Sequence, residues 1–293
     1  MRFILNATNL LGDSLYLLRP IEVFLQQSKD VECIVADKGL SYELFANTFQ
    51  HLVAVLDDLN EAKERWPEAV VLDLNAGRSG EWCHKIAREE NWQPHMSEGY
   101  AHFLGVDLKG DLHPPMRWSC IEDVMPRTFY AISPFSKSCS RHSGETPNKT
   151  LDAHKWEYIL RYLRRQNKKV IVVGGPNDKL ANCSVPLNDY FCASSLFELE
   201  FFLKSCALLV GVDNGLMHIA SVLDTPCISL WPKVSNMHFI GPRFSAKTAF
   251  VLMEPNSAQP SQLLCGIRKF AKILLADKDV TVETVSLAED GDA

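Results

Sequence analysis

Residues 210–220 read VGVDNGLMHIA, and the fold turns on how they are read. Val210–Val212 close the apolar run ALLVGV (207–212), of the kind that is buried on both faces of a parallel sheet. Asp213 stands at its carboxyl end, Asn214-Gly215 makes the turn, and an apolar helix, LMHIASVL (216–223), starts at once. Asp213 or Asn214 can cap the free N–H groups of that helix. Any left over point outward, where the helix dipole favours an anion. His218 is four residues beyond Asn214 and so shares its helix face. Thr225-Pro226 stops the helix, and CISLW (227–231) follows as a strand. Spacing alone leaves two readings open. One is a ligand-binding turn; the other is a plain βαβ connection whose Asp and Asn are caps and whose histidine is satisfied in the core.

The same alternation extends both ways from this block. Upstream, FYAIS (129–133) and KVIVVGG (169–175) read as strands, and 152–166 and LFELEFFLKSC (196–206) as helices. Downstream, AFVLM (249–253) is a strand and QLLCGIRKFAKILLA (262–276) a closing amphipathic helix, after which TVSLAEDGDA is expected to fray. In the first half, RFILN (2–6), CIVA (33–36), LVAVL (52–56) and AVVLDL (69–74) are strand candidates. SLYLLRPIEVFLQQ is helical, with Pro20 predicting a kink or break, and further helices fall at 38–48, 80–90 and 95–105. Between 106 and 128 the period dissolves among prolines, which reads as a linker. The expectation is an α/β fold: two Rossmann-like doubly wound domains facing a cleft, residues 1–125 and 126–293. The closing helix is free to pack back on the first.

Composition narrows the function classes. The chain has 293 residues, 46% hydrophobic and 23% charged, with a formal net charge of -6, an ordinary globular profile. No basic block stands out, so nucleic acid is not an expected partner. The N-terminus, MRFILNATNLLGD, lacks a signal-peptide pattern, and no apolar run nears the ~18 residues of a membrane helix, so an intracellular protein is expected. The nine cysteines form no C-x-x-C pair, which argues for reduced, mostly buried thiols and no zinc site. Walker, G-x-G-x-x-G, G-x-S-x-G and H-E-x-x-H motifs are all absent.

Three further stretches carry candidate chemistry. In LLGD (10–13), Gly12 permits a turn and Asp13 sits at or just before the next helix, as an N-cap or as a general base. A well-capped carboxylate is a weak base, so the second role needs a partly apolar cleft. In ISPFSKS (132–138) and PNKTLDAHKW (147–156), hydroxyls and lysines can neutralise a phosphate or form a solvated loop. The glycines of VVGGPNDK (172–179) allow close approach of a nucleotide or merely end a strand.

Together these pieces resemble glycosyltransferase family 9, the heptosyltransferase-like enzymes of GT-B fold. The block SSLFELEFFLKSCALLVGVDNGLMHIASVLDTPCISLWP is similar to the family's D-T-G-x-x-H-x-A signature. LLGDSLYLLRPIEVFLQ, VIVVGGPND, PNKTLDAHKW and NMHFIGPRF fit its other segments, in order. The resemblance implies a metal-independent, inverting transferase that needs no cofactor. It would move a heptose or similar sugar from a nucleotide diphosphate donor such as ADP-heptose to a glycan, lipid-linked or other hydroxyl acceptor. Asp13 matches the general base, Lys149 a residue on the donor diphosphate, and Asp213, Asn214, Gly215 and His218 the donor turn, with Ser136 near the phosphate loop. Bacterial lipopolysaccharide or other glycoconjugate synthesis is the implied setting, in the cytoplasm or at the periphery of the inner membrane. The alternatives are another GT-B enzyme such as a hydrolysing epimerase, a DNA-base glycosyltransferase, and a non-catalytic nucleotide-sugar-binding protein. Asn214 stands where the family has Thr, the 137–150 loop is longer, and no basic, aromatic-rich face is evident in the first half.

Overall fold

The computed structural model describes residues 1–27, 30–90, 92, 94–121, 125–135, 151, 153–175, 189–231, 241–252, 259–276 and 284–286. The chain divides into two compact units. The first is built on Met1–Glu122, with Ser195–Phe197; the second on Asp123–Ser194, Glu198–Met237 and Gly241–Ala293.

The first unit runs β1 (Phe3–Asn6), α1 (Leu11–Gln27), β2 (Val31–Val35), α2 (Leu40–Phe49), β3 (Ala54–Leu56), α3 (Leu59–Arg65), β4 (Val70–Asp73), α4 (Ala76–Glu89) and α5 (Met96–Leu104). Its four strands are parallel, in the order β3-β2-β1-β4. Successive residues of β1 and β2 (Ile4 and Leu5, Cys33 and Ile34) are all fully buried, so helices cover both faces. On one face Ile4, Cys33 and Val35 pack on Ala62 of α3, with Leu59 and Trp66 beside it. The α3 helix, absent from the sequence reading, starts on an Asp58 cap that accepts the Asn60 N–H at 2.7 Å.

Two expectations are refined here. Helix α1 runs through Pro20 without a break. The proline removes one hydrogen bond, but Leu15, Leu17, Leu18 and Ile21 around it are at most 1% exposed, and burying each contributes about 1.5–3 kcal/mol. Residues 106–121, read as part of a linker, pack on the first unit, and the boundary between the units falls just beyond them at Glu122/Asp123. Leu108 and Trp118 are buried, and Arg19 of α1 pairs with Asp111 at 2.5 Å, while Arg117 reaches Glu22 at 3.6 Å. The segment wraps α1 as irregular chain, which leaves no period to read.

Gly99 sets how closely α5 lies on α4. A Cβ there would stand 2.3 Å from Ser79 Oγ and 3.0 Å from Ser79 O. The same pair of helices carries an aromatic surface. Trp82 stacks on His102 (centroids 4.6 Å, 19°) and meets Trp92 edge-on at 6.4 Å, with Trp92 and Phe103 exposed.

The second unit runs β5 (Phe129–Ser133), α6 (Ala153–Arg164), β6 (Lys169–Val173), β7 (Tyr190–Phe191), α7 (Leu196–Lys204), β8 (Cys206–Val212), α8 (Gly215–Val222), β9 (Cys227–Trp231), β10 (Thr248–Leu252), α9 (Pro260–Leu275) and β11 (Thr284–Ser286). The seven strands are parallel, in the order β11-β10-β9-β8-β5-β6-β7. All seven residues of β8 and all five of β9 are buried. Helix α9 lays Leu263, Ile267, Phe270 and Leu274 into the core formed by these strands, against α6 as well. The expected frayed tail begins instead as a strand. Thr284–Ser286 pairs with Phe250–Leu252, because an edge strand offers its unpaired groups to any short extended segment. Among the described residues no helix is long and apolar enough to cross a membrane.

Candidate functional site

Each sheet reverses its winding once. In the second unit β6 and β7 build outward from β5 in one direction, and β8, β9, β10 and β11 in the other. The reversal lies between β5 and β8, and ligands of open α/β sheets bind beyond the carboxyl ends of the strands at such a point. Ser133 ends β5 there, and Asp213 follows β8.

Asp213 is 5% exposed, and its Oδ1 lies 3.3 Å from His218 Nε2, which also sits in the interior. With Nε2 as donor, the imidazole holds the carboxylate against the first turn of α8. Asn214 is the N-cap of α8, in extended backbone. Its Oδ1 accepts from Leu216 N at 3.0 Å and Met217 N at 3.2 Å. Its Nδ2 donates to Ser133 Oγ at 2.8 Å and to Phe135 O at 2.7 Å. Gly215 opens the helix and is half-buried. Asp213, Asn214, Gly215 and His218 are thus together on one turn. Two of the N–H groups that sequence reading offered to an anion are taken up by the Asn214 oxygen.

Two glycines make the junction possible. Gly211, paired with Ser133 across the sheet, has no room for a side chain: a Cβ would stand 2.6 Å from Met217 Sδ and 2.9 Å from Ser133 O. At Gly174 a Cβ would fall 2.6 Å from the Phe135 ring and from the Tyr190 hydroxyl. That hydroxyl donates to Gly175 O at 2.5 Å. Ser136 and Lys149 lie outside the described residues, as do Pro176-Asn177-Asp178-Lys179 of the glycine turn. Lys155, in the first turn of α6, is 7% exposed, a buried cation that sequence reading passed over.

The first unit repeats the logic. Its winding reverses between β1 and β4, and Asp13 follows β1, in the first turn of α1 and half-buried. Nearby, Asn6 Nδ2 donates to Asp73 Oδ1 at 3.0 Å and Asn9 Nδ2 to Leu74 O at 2.7 Å, which ties the two strand ends together. Tyr100 of α5 is fully buried and its hydroxyl has no hydrogen-bond partner. Burial pushes the phenol well above its usual range, and the Asp13 charge pushes it further in the same direction. Tyr100 is therefore a neutral phenol within electrostatic reach of Asp13. No sequence signal marked it, since it reads as one apolar position of an amphipathic helix. Among the described residues no three His, Cys, Asp or Glu side chains are grouped to hold a metal ion.

Comparison with known proteins places these features. The family model "Glycosyltransferase family 9 (heptosyltransferase)" matches residues 122–264, which hold the whole β5–β8 junction. No curated protein matches the chain. Among solved structures, E. coli ADP-heptose LPS heptosyltransferase II is 14% identical, with a TM-score of 0.59 over 93% of this chain and 99% of its own. A glycosyltransferase family 9 protein from Veillonella parvula is 15% identical, with a TM-score of 0.59 over 92% and 97%. E. coli heptosyltransferase WaaC, solved with ADP, is 14% identical, with a TM-score of 0.58 over 92% and 100%. At these identities the structures establish the fold, two Rossmann-like units of the glycosyltransferase kind. Residues 122–264, just under half of the chain, are thus similar to glycosyltransferase family 9.

Proposed function

We propose that this protein is an inverting, metal-independent transferase that needs no cofactor. It moves a heptose or similar sugar from a nucleotide diphosphate donor of the ADP-heptose kind to an acceptor hydroxyl. The setting is bacterial lipopolysaccharide or related glycoconjugate synthesis, in the cytoplasm or at the periphery of the inner membrane. The observation that carries the reading is the Asp213-Asn214-Gly215 turn with His218, at the carboxyl ends of β5 and β8 and within the residues that match the family. A protein of the same fold solved with ADP supports the choice of base.

In this reading Asp13 takes the proton of the acceptor hydroxyl as its oxygen attacks the anomeric carbon. The bond from that carbon to the donor diphosphate breaks on the opposite face, and its electron pair leaves on the phosphate oxygen. Configuration is inverted in the single step. Negative charge grows on the departing diphosphate, where Lys149, nearby hydroxyls and the start of α8 oppose it. Losing one such contact typically costs on the order of 10²–10³ in rate. Asp213 receives donor hydroxyls, steadied by His218.

The test is a thermal-shift panel with ADP, UDP, GDP and CMP on wild type, Lys149→Ala and Asp213→Ala. One nucleotide raises the melting temperature of the wild type, and both variants lose the effect. NMR of the product made from the matching sugar donor then shows the opposite anomer. Failure of all four nucleotides at millimolar concentration overturns the reading.

A further inference from the structure

Asn214 occupies the donor turn, yet its side chain has nothing left to offer a ligand. A primary amide has two N–H donors and an oxygen with two lone pairs. The oxygen is used by Leu216 N and Met217 N, and the two N–H groups by Ser133 Oγ and Phe135 O. A longer approach to Ser133 O, at 3.4 Å, completes the set. Asp, Ser or Thr at this position would cap the helix equally well. None of them carries two donors to send across to the neighbouring strand.

What the amide reaches matters as much. Ser133 is fully buried at the end of β5, and Phe135 is the last described residue before 136–150. The Phe135 ring lies over Gly174 and beside Tyr190, with centroids 6.4 Å apart and ring planes at 58°. The exits of β8, β5 and β6 are thereby fastened in series. The amide holds the first to the second, and the ring holds the second to the third.

We propose that Asn214 is a positioning residue: it fixes the exit of β5 against the donor turn, so that phosphate binding depends on a side chain that does not touch the phosphate. The inference rests on the nucleotide-sugar reading above. Asn214→Ser keeps a capping oxygen and removes the bridge. The probes are ADP and adenosine, with affinities measured by calorimetry and ligand-observed NMR beside the melting temperature. Expected is a loss of about tenfold in ADP affinity, on the scale of the two bridging hydrogen bonds that the variant removes, with adenosine affinity and melting temperature held. Ser133→Ala, which removes one partner and leaves Asn214 in place, gives a smaller loss in the same direction and serves if Asn214→Ser does not fold. Unchanged ADP affinity in both variants overturns the inference while the function stands. So does an equal loss of ADP and adenosine with a lowered melting temperature, the mark of a merely structural role. A wild type that holds no nucleotide sinks the function, and this inference with it.

Discussion

Substituting Gly211 by alanine puts one methyl group where the structure has no space for it. Its Cβ would meet Met217 Sδ at 2.6 Å, Ser133 Cβ at 2.9 Å and Ser133 O at 2.9 Å. The sulfur belongs to a flexible side chain, but Met217 is fully buried and has little room to retreat. The Ser133 contacts belong to β5, which is bonded to β8 through this very residue pair. Relief therefore requires spreading the two central strands. Overpacking of this kind costs about 1–3 kcal/mol, against which alanine returns about 0.5–1 kcal/mol of strand entropy. A net loss of about 1–2 kcal/mol lowers the melting temperature by roughly 2–8 °C at this chain size. The Asn214 bonds to Ser133 and Phe135 span the same gap at 2.8 and 2.7 Å, so strand separation breaks them and weakens ADP binding too. Differential scanning fluorimetry with and without ADP reads both effects. Gly80→Ala is the control: its Cβ meets only Met96 Cε, at an ordinary 3.8 Å, inside α4, and it should be neutral or stabilising. If Gly211→Ala melts and binds like wild type, the close approach of β5 and β8 is wrong, and with it the account of the junction.

Two other outcomes follow from the chemistry. Asp13→Asn removes the proposed base while keeping the shape of the helix turn; steady-state transfer should fall by about 10²–10⁴ with ADP affinity unchanged, and full activity would exclude this carboxylate as the base. Cys206 and Cys227 are completely buried, and that burial pushes both thiols up to about 12, from an ordinary 9.0. Both stay protonated in the fold while the unfolded chain ionises them. Their contribution is thus whole below pH 9 and lost as pH rises toward 12, at about 1.4 kcal/mol per pH unit for each thiol. Urea midpoints at pH 8 and pH 10 check this; equal midpoints would show that the thiols are not held neutral.

The strands of the second unit were legible because burial on both faces writes a continuous apolar run. FYAIS and CISLW end where the sequence reading ended them. Helix α3 was not, because only Ala62 of LNEAKER is buried and one apolar position makes no stripe. Its signals were local instead: the Asp58 cap, and a Glu61–Arg65 pair one turn apart. The segment 106–121 and the aromatic surface of Trp82, Trp92 and His102 depend on contacts between elements distant in sequence, and periodicity carries no record of those. The site divides the same way. Strand, turn and helix around Asp213 could be read from VGVDNG, but whether the Asn214 amide faced a ligand or the neighbouring strand could not. That depends on Ser133 and Phe135, about eighty residues upstream. Tyr100 beside Asp13 is hidden for the same reason.

The two units place their candidate carboxylates by one rule. Asp13 follows β1 and Asp213 follows β8, each at the edge of its sheet's reversal and each at the start of a helix. A strand end followed at once by a helix leaves N–H groups without partners, and a short polar side chain is the cheapest way to satisfy them. Capping and binding therefore compete for the same atoms. In the second unit Asn214 takes the cap, and Asp213 beside it pairs with His218. Asn214 also adds the bridge to Ser133 and Phe135, which a hydroxyl cap could not make with two donors, so the residue at 214 sets how the exits of β8 and β5 are braced.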